Sequence, residues 1–250
     1  MTLRIDLAYD GTDFRGWARQ PDQRTVQGTL EEALTRLVGP VETVVAGRTD
    51  AGVHARHQVV SFQADAEPGA LEVSLRRMLP PAVAVHRVID EADGFSARFD
   101  AETRAYRYHL DTRPAADPFR ARFAWHVTRP LDVDAMNRAA ADLVGEQDFA
   151  SFCRRAEGRT SVRRVVSAAW TEADGGLVFD VVGSAFCHQQ VRSFVAYLVE
   201  VGRSRLPADG TPEVLAARDR VAARGAAPAH GLTLWLVAYP VGFAEPPDLP

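Results

Sequence analysis

The sequence has no lysine; all 29 of its basic residues are arginine. That excludes Schiff-base chemistry and a lysine nucleophile. It also makes every cationic contact a guanidinium, which grips phosphate or carboxylate in two-pronged fashion and stacks on bases. Cysteine is almost as scarce. Cys153 and Cys187 are the only two, too few for a disulfide scaffold or for a zinc site built mainly on thiolates. No stretch comes near the ~20 apolar residues that a bilayer span requires. The opening Met1-Thr2-Leu3-Arg4-Ile5-Asp6 carries charge where a secretory signal would carry an apolar run. The expectation from these absences is a soluble chain of a reducing cytoplasm. Excess positive charge is missing too. The net charge is −4, so any nucleic-acid site has to be a local patch.

What is present is ordinary globular composition: 250 residues, 46% hydrophobic and 25% charged, enough for one large domain or two small ones. Leu3 to Tyr9 alternates as a strand, and Asp10-Gly11-Thr12-Asp13 reads as a turn. Thr25 is placed to cap a helix over 26–38, with Val26, Leu30, Ala33, Leu34 and Leu37 on one face. Strands are expected at 41–46, 58–63 and 83–88, with a loop over 47–56 and a helix over 70–79. Further on, strands are expected at 104–110 and 123–127. A helix is expected over 132–144, a hairpin at 162–171 and 177–182, helices over 186–201 and 212–223, and a closing strand at 232–239. Strands and helices mix without strict alternation, which argues for α+β with largely antiparallel sheet. The order before position 90 fits a ferredoxin-like half over 1–103, and 104–242 could hold a second, related half. Residues 110–121 are the best linker candidate, and the proline-rich tail 243–250 is expected to fray.

The most informative segment is Gly47-Arg48-Thr49-Asp50-Ala51-Gly52-Val53-His54-Ala55. Two glycines bracket an acid between two strands, a pattern that presents Asp50 into a cleft or merely caps a tight turn. A second feature is the run 154–164, where Arg154, Arg155, Arg159, Arg163 and Arg164 face Glu157 alone. Such a cluster suits phosphate contacts, or a solvated loop. Arg15, Arg19 and Arg24 make another basic group beside Trp17. The seven histidines, His54, His57, His86, His109, His126, His188 and His230, show no zinc-ligand spacing with cysteine or carboxylate. No metal and no cofactor are expected.

The segment 47–55 resembles the catalytic segment of the bacterial tRNA pseudouridine synthase A family. Other segments resemble the family in the same order: Tyr9 to Trp17, then Ala97-Arg98-Phe99 with Tyr106-Arg107-Tyr108, then Ala185 to Arg192, then Gly231-Leu232-Thr233-Leu234. Ala18, Gln190 and the stretch 193–196 depart from the family's usual residues. The resemblance implies a pseudouridine synthase fold, two ferredoxin-like halves flanking a central cleft. It implies isomerisation of uridine to pseudouridine at positions 38, 39 and 40 of the tRNA anticodon stem-loop, by a homodimer and without a cofactor. Nothing is oxidised or imported: the N1–C1′ bond breaks, the uracil turns, and C5 bonds to C1′.

By the same resemblance Asp50 is the catalytic carboxylate, either attacking C1′ as a glycosidase nucleophile does or removing a C2′ proton. Arg192 is its guanidinium partner, opposing the rise that burial would impose on the carboxyl. Tyr106 stacks on the target uracil and is a candidate base for the C5 proton, although a phenol ordinarily titrates near about 10. Tyr108, two residues on, faces the same side of the strand. Arg48 is expected to face RNA phosphate. His54, Arg56 and His57 are expected near the substrate, with Leu232 and Leu234 on the pocket wall. Arg154, Arg155, Arg163 and Arg164 complete the expected RNA contacts. Two other readings compete on the residues alone. A non-catalytic RNA-binding module would leave Asp50, Tyr106 and Arg192 without a shared purpose, and a glycosyl hydrolase lacks a convincing second carboxylate.

Overall fold

The structure, a computed structural model, describes residues 1–154, 158 and 160–244. Arg155, Arg159 and most of the expected frayed tail (245–250) therefore lie outside the described residues. The chain divides into two compact units, one of 1–104 with 233–250 and one of 105–232. The second half was expected to run to 242. Instead the last strand belongs to the first unit, because Thr233 and Leu234 pair in parallel with His54 and Ala55.

The first unit runs β1 (Thr2–Tyr9), α1 (Val26–Val38), β2 (Val44–Val45), β3 (His54–Gln63), α2 (Pro68–Met78) and β4 (Val83–Glu91). Its sheet order is β4-β1-β3, with β2 antiparallel on β3 and β1 antiparallel to both neighbours. That is the split, antiparallel arrangement of a ferredoxin-like half. Helix α1 starts where Thr25 accepts the Gly28 N–H at 3.2 Å and ends at Gly39, whose φ of 85° suits glycine. It buries Val26, Leu30, Ala33 and Leu34 but leaves Leu37 exposed. Helix α2 begins at Pro68, two residues earlier than expected, because Glu67 accepts the Gly69 and Ala70 N–H groups. Strand β2 is shorter than expected. Thr43 turns its hydroxyl to Glu31, at 2.7 Å, instead of joining the ladder.

The alternation of β1 suggests one wet face, yet Arg4 and Asp6 are both fully buried. Arg4 Nε donates to Asp6 Oδ1 at 2.8 Å, and Arg87 Nε, directly opposite on β4, donates to Asp6 Oδ2 at 2.5 Å. The Arg4 guanidinium also lies 4.8 Å from the Tyr239 ring centre. Burial would raise the Asp6 carboxyl; His57 and Arg4 outweigh it and hold the group below its ordinary value.

The second unit contains β5 (Thr103–Asp111, shared at its first two residues with the first unit), β6 (Trp125–His126), α3 (Val133–Ala141) and β7 (Gly145–Asp148). It continues with β8 (Val162–Ala173), β9 (Gly176–Gly183), α4 (Gln190–Gly202) and α5 (Thr211–Ala217). The sheet order is β5-β9-β8-β7, with β6 beside β5. Strand β7 has no apolar alternation; cross-strand pairs such as Glu146 opposite Arg164 mark it instead. Helix α4 starts four residues later than expected because Gln189 is left-handed, at φ 66°. Helix α5 stops at 217, not 223, because Arg218 adopts φ 48°. Phe149, Phe152, Phe194 and Tyr197 form an aromatic core under α4, with Phe152 and Phe194 rings 5.0 Å apart. The closing strand, β10 (Leu232–Ala238), lies beside β3.

Candidate active site

The loop ahead of β3 is held from below by the segment that follows β1. Trp17 N–H donates to the Thr49 carbonyl at 3.0 Å, and Gly52 N–H donates to the Phe14 carbonyl at 3.3 Å. Two glycines permit this approach. A Cβ on Gly11 would lie 2.0 Å from the Val53 oxygen, and one on Gly16, which has φ +93°, would lie 3.0 Å from the Thr49 oxygen. Side chains finish the clamp. Tyr9 and Thr49 share a hydroxyl hydrogen bond of 2.7 Å, and Gln58 Nε2 donates to the Gly47 carbonyl at 2.7 Å. Burial pushes the Tyr9 phenol up to about 12, against the pull of Thr49 and Gln58, so it remains a neutral hydroxyl at physiological pH. Held this way, the loop buries Thr49 and Val53, leaves Asp50 half-buried and turns Arg48 out to solvent. Arg15 and Arg24 are also exposed, Arg24 lying over the Phe14 ring at 4.7 Å.

Three residues of this unit expected near the substrate are buried among structural contacts. His54 is buried: its Nδ1 accepts the Gly11 N–H at 3.0 Å and lies 3.1 Å from Asp10 Oδ1. It ties turn to loop. His57 is fully buried and accepts the Val237 N–H at 3.2 Å. Leu234 is fully buried in β10. Arg56 is half-buried with its guanidinium 4.5 Å from the Trp235 ring centre, a stacked position that covers part of its surface. His54 shares the motif with Asp50 and His57 follows it, and neither motif nor spacing tells a buried histidine from a wet one.

In the second unit, Tyr106 sits on β5 with its ring edge-on to Phe186, 5.3 Å between centres. Tyr108 was expected at the substrate, but it is fully buried. Its hydroxyl donates to the Pro228 carbonyl at 2.8 Å, and a Cβ on Gly231 would lie 2.5 Å from its ring. Burial drives its phenol far above the ordinary value, the Arg192 charge opposing only in part. Arg192, at the third position of α4, is half-buried. Its Nε donates to the Ala227 carbonyl at 2.8 Å, while the Ala227 N–H returns to the Arg192 carbonyl at 2.9 Å. This fixes the plane of the guanidinium. Leu232 is buried at 5% exposure. Arg154 and Arg164 are exposed and Arg163 is half-buried. Among the described residues no group of three histidine, cysteine or acidic side chains could hold a metal ion.

Sequence reasoning missed Tyr9, Gln58 and Gly16 as parts of the clamp. A glycine 31 positions or more before the loop was the available signal, and only the fold brings it there.

Asp50 is thus half-buried in a clamped loop, and Arg48, Arg15 and Arg24 are exposed in the same unit. The family model described as tRNA pseudouridine synthase matches residues 7–100 and 139–240. The chain is 48% identical over 247 residues to a tRNA pseudouridine synthase A of Frankia casuarinae, covering 95% of this chain and 89% of the relative. To the protein of the same name in Streptomyces griseus it is 46% identical over 250 residues, covering 95% and 88%. To that of Brevibacillus brevis it is 46% identical over 242 residues, covering 95% and 99%. The chain belongs to the tRNA pseudouridine synthase family.

Proposed function

We propose that the chain isomerises uridine to pseudouridine in tRNA, at positions 38, 39 and 40 of the anticodon stem-loop, with Asp50 as the catalytic carboxylate. The observation that carries the reading is the clamp. Two glycines, Tyr9, Gln58 and Trp17 all converge on the loop around one half-buried acid. Such convergence serves aim, and the isomerisation depends on aim, since no group is transferred to or from outside. Asp50 either attacks C1′ as the N1–C1′ bond breaks or takes the C2′ proton to give a glycal. In both routes the detached uracil turns, C5 bonds to C1′, the C5 proton leaves and N1 ends protonated; in the first the Asp50–C1′ bond breaks as C5 attacks, and in the second C2′ takes its proton back from Asp50. Arg192 is the guanidinium partner that aims the carboxylate, and the Ala227 bond at its Nε favours a fixed presentation of the remaining N–H groups. Tyr106, buried at 8% exposure against Phe186, is the ring that stacks on the uracil in this reading. The exposed Arg48, with Arg154 and Arg164, meets phosphate. The chain acts as a homodimer in the cytoplasm, with one tRNA spanning both subunits.

The test is release of tritium from tRNA carrying [5-³H]uridine. Asp50→Asn is expected to release none while still binding tRNA, since phosphate contacts supply affinity and the carboxylate supplies chemistry. Turnover by Asp50→Asn, with no deamidation detected by mass spectrometry, would overturn the assignment.

A further inference from the structure

The only two cysteines of the chain stand 34 positions apart and meet in the second unit, where their sulphurs are joined. Their Cα atoms are 5.7 Å apart, within the roughly 4.4–6.8 Å that disulfides span. We propose that Cys153 and Cys187 are a reversible thiol–disulfide modification site that latches the end of the segment 149–153 to the start of α4. The proposal stands whatever reaction the chain carries out.

Three features of the surroundings support it. First, both partners sit on fixed supports. Phe152 packs on Phe194 and Tyr197 of α4, at 5.0 and 5.7 Å between ring centres. The Arg154 N–H donates to the His188 carbonyl at 2.9 Å, alongside the cysteines. The two segments are thus in register without the covalent bond, and closing it asks for no backbone movement. Second, a dithiol form has an acceptor ready. Gln190 Oε1, buried in the first turn of α4, lies 3.1 Å from Cys187 Sγ and 3.9 Å from Cys153 Sγ, and accepts the Cys187 N–H at 2.8 Å. Two thiols turned toward this oxygen are satisfied, so both redox states fit the same frame. Third, the pair is asymmetric. Cys153 is buried, at 2% exposure, whereas Cys187 is half-exposed beside the exposed His188.

The asymmetry orders the chemistry. A small disulfide such as oxidised glutathione meets Cys187 first. The Cys187 thiolate attacks one sulphur of the reagent, that S–S bond breaks, and one glutathione leaves as thiolate and takes a proton from water. Cys153, deprotonated in turn, then attacks Cys187 Sγ and expels the second glutathione. Two protein thiols lose two electrons and two protons, and one glutathione disulfide becomes two thiols. A dithiol reductant reverses both steps.

The chain is purified with dithiothreitol, exchanged into oxidised glutathione, quenched with N-ethylmaleimide in guanidinium chloride so that a buried thiol is also reached, and weighed intact. The reduced protein is expected to take two maleimides. The oxidised protein is expected to take none, to retain no glutathione and to be lighter by two hydrogens. Its melting temperature is expected to rise by roughly 5–10 °C, as closing a loop of this length implies, and to fall back with dithiothreitol. Cys153→Ser is expected to stop as a glutathione adduct on Cys187, whereas Cys187→Ser takes up glutathione at least about tenfold more slowly. Two separate glutathione adducts on the wild-type chain, two thiols still open to maleimide, a bond that dithiothreitol does not reduce in the folded protein, or an unchanged melting temperature would each overturn the proposal. The wild-type measurements decide it even where a serine variant fails to fold.

Discussion

A methyl group on Gly11 would meet the Val53 oxygen at 2.0 Å, backbone against side chain, with no flexible neighbour to give way. Gly11→Ala must therefore push the loop that carries Asp50 away from its support. A destabilisation of about 1–3 kcal/mol is expected from overpacking, with kcat on tRNA reduced ~100-fold by the misplaced carboxylate. A melting curve and the tritium assay check the two halves separately. The Tyr9 hydroxyl acts at the same place more gently. Tyr9→Phe leaves Thr49 and Gln58 short of a partner and is expected to cost about 1–2 kcal/mol. The phenol is raised from 10 to about 12 in the fold. A raised pKa gives a contribution that is whole below pH ~10, the unfolded value, and is lost as pH climbs toward the folded one. Denaturant titrations between pH 10 and 12 are expected to show a smaller loss of stability in Tyr9→Phe than in the wild type. At this scale the sequence singled out Asp50 and Arg48 together with His54, Tyr108 and Leu234, and did not disclose that the last three are buried while Arg48 is exposed. Residue type and motif position say nothing of which side of a backbone faces water, and all three are consumed by packing or by hydrogen bonds inside the fold.

Strand β1 shows what a local pattern conveys and what it omits. Its alternation is real and its limits were legible to within a residue, as were those of α1, whose cap and glycine stop are both local chemistry. The alternation did not disclose that the polar face is buried as well, because the partners that make burial tolerable come from β4, some eighty residues away. Charges so enclosed are stabilising only as a set. Asp6→Asn strands Arg4 and Arg87 and is expected to cost about 3–5 kcal/mol. The Asp6 carboxyl lies below its usual 3.8 in the fold. Its contribution is therefore whole above that value and disappears as pH falls through the lower, folded one. Melting curves of the wild type and Asp6→Asn should differ most at neutral pH and converge below pH ~4; a gap that persists in acid would show that Asp6 acts through packing alone. Helices α4 and α5 were misjudged at their ends for a shared reason. Gln189 and Arg218 hold left-handed backbone that neither residue type advertises.

The chain as a whole carries a net charge of −4, so nothing in its bulk field draws it to RNA. The alternation at 232–239 announced a strand but not its neighbour. Parallel pairing with β3 returns the end of the chain to the first unit, and no local signal encodes a pairing across 180 residues. Recognition of a polyanion by an acidic chain has to rest on a few arginines set where phosphates fall. That arrangement has a measurable signature, because each phosphate neutralised releases counterions. In the first unit the exposed arginine nearest Asp50 in sequence is Arg48, and Arg15 stands between Phe14 and Gly16, two of the residues whose backbones approach the loop. Arg48→Gln and Arg15→Gln are each expected to weaken tRNA binding and to lessen the slope of log K against log salt by about one. Arg192 is half-buried and tied to Ala227, and the proposed role sets it on the carboxylate and not on phosphate. Arg192→Gln is expected to leave the salt slope unchanged while kcat collapses. Binding isotherms at four or five salt concentrations separate the two classes of arginine. A slope that falls equally in Arg192→Gln and Arg48→Gln would place Arg192 on the RNA backbone and remove it from the chemistry.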